Sequence, residues 1–274
     1  MKVDRRTLLA GTAAVGATLS APRAIAAAKD GAGALPMPAP DDTLPEPLPV
    51  VDPNRIRMER GWLFHEGDIV PARPQGHNAT YLSVKAGAAQ GAAAADYDDG
   101  DWAAVDLPHD WASFQPFVET ANVSQGYRPR GIGWYRRRFR LDPAERGKKL
   151  ELHFDGIATH AQVWVNGNLA ARSWSGYSAV IVDLTPFAVF GDEANVVAIR
   201  VDAEAMEGWW YEGAGIYRHV WLVARAPVSI ATDGVHCDPR KTDAGWRVPV
   251  TVTLDNIERA AVPVAVEASL LAPD

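Results

Sequence analysis

The stretch Trp209-Trp210-Tyr211-Glu212-Gly213-Ala214-Gly215-Ile216-Tyr217-Arg218-His219-Val220-Trp221-Leu222 sets the architecture of this chain. Its first half gathers three aromatic rings and a carboxylate beside glycines, and its second half alternates in the manner of a strand. Gly213 and Gly215 lack a Cβ and permit backbone angles and close approaches that other residues resist, so a tight loop there can aim the aromatics before it. Tyr217, His219, Trp221 and Val223 face one way and Val220 and Leu222 the other, which makes this the last strand of a β domain. Trp209 and Trp210 read either as core or edge aromatics of that domain or as a surface presented to a partner.

Strand patterns continue outward on both sides. Towards the N-terminus they cover Val196–Val201, Val180–Leu184, Ala161–Val165, Leu150–Phe154 and Ile132–Leu141, with Asn166-Gly167 as a two-residue hairpin signal. Val105–Leu107 is a short strand stopped by Pro108, and Tyr97–Trp102 is a turn cluster with an anchoring Trp. Ala86–Ala95 reads as a low-complexity loop insertion, and Arg55–Glu66 as a first strand ending near Gly67. Towards the C-terminus the register changes at Ala226-Pro227. Val248, Val250, Val252 and Leu254 then form an alternating strand, and Val262, Val264, Val266 and Leu270 another. The expected organisation is an export signal over 1–28, a Pro/Ala-rich linker over 29–54, a β-sandwich over 55–226 and the start of a second sandwich over 227–274. A few strands with one apolar face cannot bury it alone, so the second sandwich is read as incomplete.

Composition narrows the function. The net charge of −7, with no Lys/Arg run in the body of the chain, excludes the positive field that a phosphate backbone requires, so no nucleic acid partner is expected. Lys2, Arg5 and Arg6 lead into the apolar run Leu8–Leu19, and Ala24-Ile25-Ala26 has the small-x-small pattern of a signal peptidase site. Cleavage is expected after Ala26, and Arg5-Arg6 followed by Thr7-Leu8-Leu9 resembles a twin-arginine signal, which implies a periplasmic or secreted bacterial protein. The apolar run is shorter than the ~20 residues of a bilayer span, so no membrane association is expected beyond the signal. Cys237 is the only cysteine, which rules out an intrachain disulfide and is read as a buried or inert thiol. No Cys/His spacing suggests a zinc site, and no metal or cofactor is expected.

Five blocks identify a family resemblance. Asp106-Leu107-Pro108-His109-Asp110-Trp111, Gly133-Trp134-Tyr135-Arg136, Phe154-Asp155-Gly156, Val163-Trp164-Val165-Asn166-Gly167 and Gly215-Ile216-Tyr217-Arg218 resemble, in that order, the N-terminal sugar-binding domain of glycoside hydrolase family 2. The resemblance implies a jelly-roll β-sandwich of the galactose-binding-like kind, then an immunoglobulin-like sandwich, then a (β/α)₈ barrel holding both catalytic glutamates. Carbohydrate, as a terminal β-linked sugar, is the partner it implies, along with the further C-terminal domains; a homo-oligomer stays open.

Sugar recognition uses carboxylates or amides for hydroxyls and aromatic faces for the apolar C–H patches of a pyranose. By resemblance to β-galactosidases, whose first domain lends an Asn and an Asp to the active-site rim, Asn122 matches the former and Asp202 or Glu204 lies in the region of the latter. Trp209, Trp210, Tyr211 and Glu212 form a loop placed against substrate or against a following domain. Asn122-Val123-Ser124 also fits a glycosylation sequon, which bacterial export makes idle. Arg136 and Arg218 are expected as ion-paired or stacked scaffold, and His109 and Asp110 as turn chemistry.

The implied reaction is retaining hydrolysis of a terminal β-glycoside by two glutamates with carboxyls roughly 5–5.5 Å apart. No catalytic residue is assigned within the chain, since such a barrel takes ~250 residues. The rival readings are a stand-alone secreted carbohydrate-binding module and an assembly domain in which Trp209–Tyr211 only dock a neighbour.

Overall fold

A computed structural model describes residues 54–71, 75–84, 89–204 and 207–269. The segment expected to be an export signal and nearly all of the Pro/Ala-rich arm lie outside those residues. The core is a sandwich of two antiparallel sheets. The smaller has the order β1 (Arg55–Arg57), β10 (Val220–Arg225), β5 (Lys149–Phe154) and β8 (Val180–Asp183). The larger runs β3 (Ala103–Val105), β2 (Trp62–Glu66), β4 (Ile132–Phe139), β9 (Asn195–Asp202), β6 (His160–Val165) and β7 (Asn168–Ser173).

Alternation along each strand builds the core. Leu150, Leu152 and Phe154 meet Ala161, Val163, Val165, Val197, Ile199 and Val201 across the sandwich, all buried. Trp62 packs edge-on against Tyr135 and Phe154 at centroid separations of 6.5 and 6.3 Å. The β6–β7 hairpin turns on Asn166 and Gly167 with φ of 48° and 75°, the positive pair that the sequence called for. Asn166 also anchors the turn through its side chain, donating to Phe187 O at 2.8 Å and accepting from Val196 N at 2.7 Å.

Arg136 is fully buried on the outer face of the large sheet, where its Nε donates to Asp99 at 2.7 Å and its Nη1 to Ala92 O and Ala94 O. It is scaffold, as the sequence implied. The alanine-rich segment is not a passive insertion: Gly91–Ala93 forms a short 3₁₀ turn whose Ala92 and Ala93 are buried beside Trp102 and Trp134. Small side chains let the backbone carbonyls approach the guanidinium.

The structure departs from the sequence reading at several further points, among them the short strand read at Val105–Leu107, which is Ala103–Val105. Residues 55–66 form not one strand but two, in different sheets, because Met58, Trp62 and Phe64 all point into the same core and the period of two carries no sign of the crossing at Gly61. The last jelly-roll strand starts at Val220 rather than Tyr217, whose hydroxyl donates instead to Gly176 O. The alternating residues 262–269 form no ladder, since no described strand lies alongside to exchange hydrogen bonds. A helix, α1 (His77–Val84), stands where none was expected. Cys237 is exposed at the end of β11 (Val228–Cys237), not buried.

Beyond Pro227, β11 pairs only with β14 (Val250–Asn256), while β12 (Arg240–Thr242) and β13 (Gly245–Arg247) make a separate hairpin. Thr232 of β11 reaches back to the jelly roll. Its hydroxyl donates to Glu151 Oε2 at 2.8 Å, and Arg225 Nη1 and His153 Nε2 approach the same oxygen at 2.8 Å each.

Burial raises the Glu151 pKa, but the bonds from His153 and Thr232 and the charge of Arg225 outweigh it and hold the carboxyl at about 2 against an ordinary 4.5. The folded pKa is depressed, so this stabilisation is complete above the unfolded value and disappears as pH falls through the folded one. Urea denaturation across pH should show a loss of roughly 3 kcal/mol from this group between pH 4.5 and about 2. Glu151→Gln should flatten that limb and lower stability at neutral pH.

Candidate functional site

Four connections meet at the end of the sandwich where β4 begins and β9 ends: the segments around 106–131, 155–159 and 174–179, and the described residues 203–204 and 207–219. The first crosses from β3 towards the start of β4 by running beside the loop before β10, with His109 N donating to Ile216 O and Trp111 N to Ala214 O. Gly215, at φ +114°, fits there because a Cβ would strike the Tyr135 hydroxyl, His109 O and Trp111. Asp110 caps the following 3₁₀ turn through Ala112 N at 3.1 Å, and it also accepts from Ala214 N and the Tyr211 hydroxyl, each at 2.8 Å. His109 is buried, with Nδ1 2.7 Å from the Tyr135 hydroxyl, and burial lowers its pKa to about 4. Both residues therefore do more than shape a turn.

Behind the loop surface lies a sealed ion pair. Arg130 Nη1 is 2.9 Å from Glu212 Oε2, its Nε donates to Gly213 O at 2.9 Å and its Nη2 to Thr159 Oγ1 at 2.7 Å. Glu212 Oε1 accepts from Glu207 N at 2.8 Å, and Gln125 Oε1 accepts from Glu212 N at 3.1 Å. This knot ties three of the connections together, and Trp111 Nε1, donating to Arg130 O at 2.6 Å, joins the crossing segment to it.

The seven residues singled out from sequence separate into different roles. Asn122 caps the 3₁₀ turn Val123–Gln125, accepting from Ser124 N at 2.8 Å, and it stands between two clefts. One, of about 430 Å³, is lined by Asn122, Arg128, Arg130, Gly131 and the exposed Glu204 among others. The other, of about 410 Å³, runs from Asn122 to Glu207, Gly208 and Trp209. Asp202 lines neither cleft and is taken up by Arg200 at 3.5 Å and Glu204 N at 3.1 Å. Trp209 is 92% exposed, and Trp210 is 55% exposed with its indole N–H donating to the Tyr177 hydroxyl. Tyr211 is held against Asp110, and burial together with that carboxylate pushes its hydroxyl pKa well up. Glu212 points inward and is 8% exposed.

Asn122, Glu204 and Trp209 therefore share one rim, Trp210 and Tyr211 flank it, and Asp202 and Glu212 support it. Sequence reasoning missed Arg130, Gln125 and Thr159, whose partners lie 29 to 87 residues away in the chain; the only local signal was an arginine directly before the loop glycine Gly131. Arg218 is exposed, with its guanidinium 3.4 Å from Asp155 O and its side chain over Gly156 beside Tyr217, so it is scaffold held by contacts other than an ion pair. Chemically the rim offers an amide, one open carboxylate and a free indole face, which suits hydroxyl binding. Glu207 and Glu212 are committed to backbone amides and Arg130. Among the described residues no group of three or more His, Cys, Asp or Glu is placed to hold a metal ion.

A jelly-roll sandwich with a cleft at its loop end defines the class. Residues 106–230 match the family described as glycosyl hydrolase 2 galactose-binding domain-like. A β-galactosidase of Bacteroides ovatus is 40% identical over 194 residues, covering 69% of this chain and 20% of the relative. A solved family 2 glycosyl hydrolase from Bacteroides cellulosilyticus superposes with a TM-score of 0.60 at 33% identity, over 73% of this chain and 24% of that one. A β-glycosidase from Bacteroides vulgatus gives 0.61 at 28% identity, over 75% and 25%. The chain thus spans about a fifth to a quarter of these proteins.

Breaking the sealed pair leaves a buried charge uncompensated. Glu212→Ala should cost about 3–5 kcal/mol of unfolding free energy, whereas Glu204→Ala at the open rim should change it by less than about 0.5 kcal/mol. Denaturant midpoints of the two variants check the contrast.

Proposed function

We propose that this chain is the N-terminal, non-catalytic part of an exported family 2 glycosidase that hydrolyses terminal β-galactosides with retention of configuration. The observation that carries the reading is the loop-end rim of Asn122, Glu204 and Trp209 on a domain 40% identical to part of a β-galactosidase. In this reading the rim closes one side of a substrate pocket whose two catalytic glutamates stand on a barrel outside the 274 residues. Asn122 and Glu204 hold sugar hydroxyls, and Trp209 and Trp210 face the substrate or the barrel.

The separate β11–β14 sheet supports a division near Pro227, with 55–226 as the sugar-binding sandwich and 227–274 as the opening of an immunoglobulin-like one. Arg5-Arg6, the apolar run after them and Ala24-Ile25-Ala26 support twin-arginine export to the periplasm or beyond.

The purified 274-residue chain should release no aryl alcohol from an aryl β-galactoside. Turnover that survives repurification and tracks the folded chain would overturn the assignment of the catalytic groups to another domain.

A further inference from the structure

A third cleft opens on the outer face of the large sheet. There β4, β9 and β6 lie side by side, and their register sets Trp134 beside Arg200 and Arg200 beside Gln162. One row along, Trp164 lies opposite Ala198, whose methyl is too short to cover the indole. Trp134 and Trp164 stack at 5.6 Å with their planes 22° apart. Trp134 is buried against Ala92, Ala93 and Trp102, so it backs the half-buried Trp164, which is left as a flat floor. The cleft measures about 460 Å³, with Asp68–Pro71 on one side and Ala89–Gln90 on another. That volume falls within the ~300–1,000 Å³ of ligand sites.

The polar groups around this floor are fixed in advance. Asp68 accepts from Arg200 Nε at 3.0 Å, Arg200 Nη2 at 2.8 Å and Trp134 Nε1 at 3.2 Å, which sets the plane of the guanidinium and neutralises its charge. The side-chain amides of Gln162 and Gln90 have no hydrogen-bond partner among the described residues. Each amide presents both donors and an acceptor. A charge-balanced cleft with a flat aromatic floor and spare amides at its edge suits a ligand that is uncharged, flat on one apolar face and ringed with hydroxyls. A phosphate-bearing ligand would meet Asp68, and the one cation lining the cleft among the described residues, Arg200, is already paired with Asp68 and Asp202.

We infer that this cleft binds a neutral pyranose unit of an oligosaccharide, stacked on Trp164 and hydrogen-bonded to Gln162, Gln90 and Arg200. The inference goes beyond the glycosidase reading and does not use the rim, so either one can fail alone.

Saturation-transfer NMR on the whole chain, with lactose and cellobiose at millimolar concentration as probes, tests it. Ring protons of a bound sugar should receive saturation, and the signal should persist in Asn122→Ala and Glu204→Ala. Trp164→Ala should abolish it, Trp164→Tyr should retain it, and Gln162→Ala should weaken binding about tenfold. Signal surviving both Trp164→Ala and Gln162→Ala, signal lost in the rim variants instead, or no saturation from either probe would each overturn the inference. Rim dependence without Trp164 dependence would leave the glycosidase reading standing.

Discussion

The ion pair between Arg130 and Glu212 is the interaction on which the working end of this molecule depends. Its side chains are 5% and 2% exposed, so both charges have left water, and that desolvation is costly. The geometry offsets it by using the available valences. Arg130 reaches a carboxylate, a carbonyl and a hydroxyl, and Glu212 takes a guanidinium and a backbone amide. A pair of this kind contributes less to net stability than to uniqueness of arrangement. The observed placement of the loops near 125, 159 and 212 satisfies all of these groups at once, and it sets the rim.

The large sheet uses the same logic at a second point. Arg136 and Arg138 both converge on Asp99, and the carbonyls of the alanine-rich segment complete the set. Two arginines in alternate positions of one strand thus pull a low-complexity loop onto the sheet face, where its small residues pack beneath Trp134. Trp134 in turn supports Trp164. The outer cleft is a consequence of how a buried guanidinium was accommodated.

The β architecture was legible because period-two alternation survives wherever one strand face is buried, as in Leu150–Phe154 and Ala161–Val165. The hairpin at Asn166-Gly167 was legible because its backbone angles demand those residues. The crossing at Met58–Gly61 was not, since both sheets share one core and inward residues look alike on either. Nor was the absence of a ladder at 262–269, because alternation reports a face to be buried and not a neighbour to bond with. At the site, a carboxylate after aromatics at Glu212 looked like a ligand group, and its inward turn depends on Arg130, 82 residues earlier. Asn122, Glu204 and Trp209 lie on neighbouring clefts at one end of the sandwich, while their supports were invisible because long-range hydrogen bonds leave no periodicity.

The central claim is that one buried pair fixes several loops at once. Hydrogen exchange on Glu212→Gln tests it most directly, because the change keeps the shape of the side chain and removes its charge. Amides of 118–131 and 207–216 should lose protection together, while those of β9 keep theirs. Loss confined to the 207–216 segment, with 118–131 unchanged, would contradict the account.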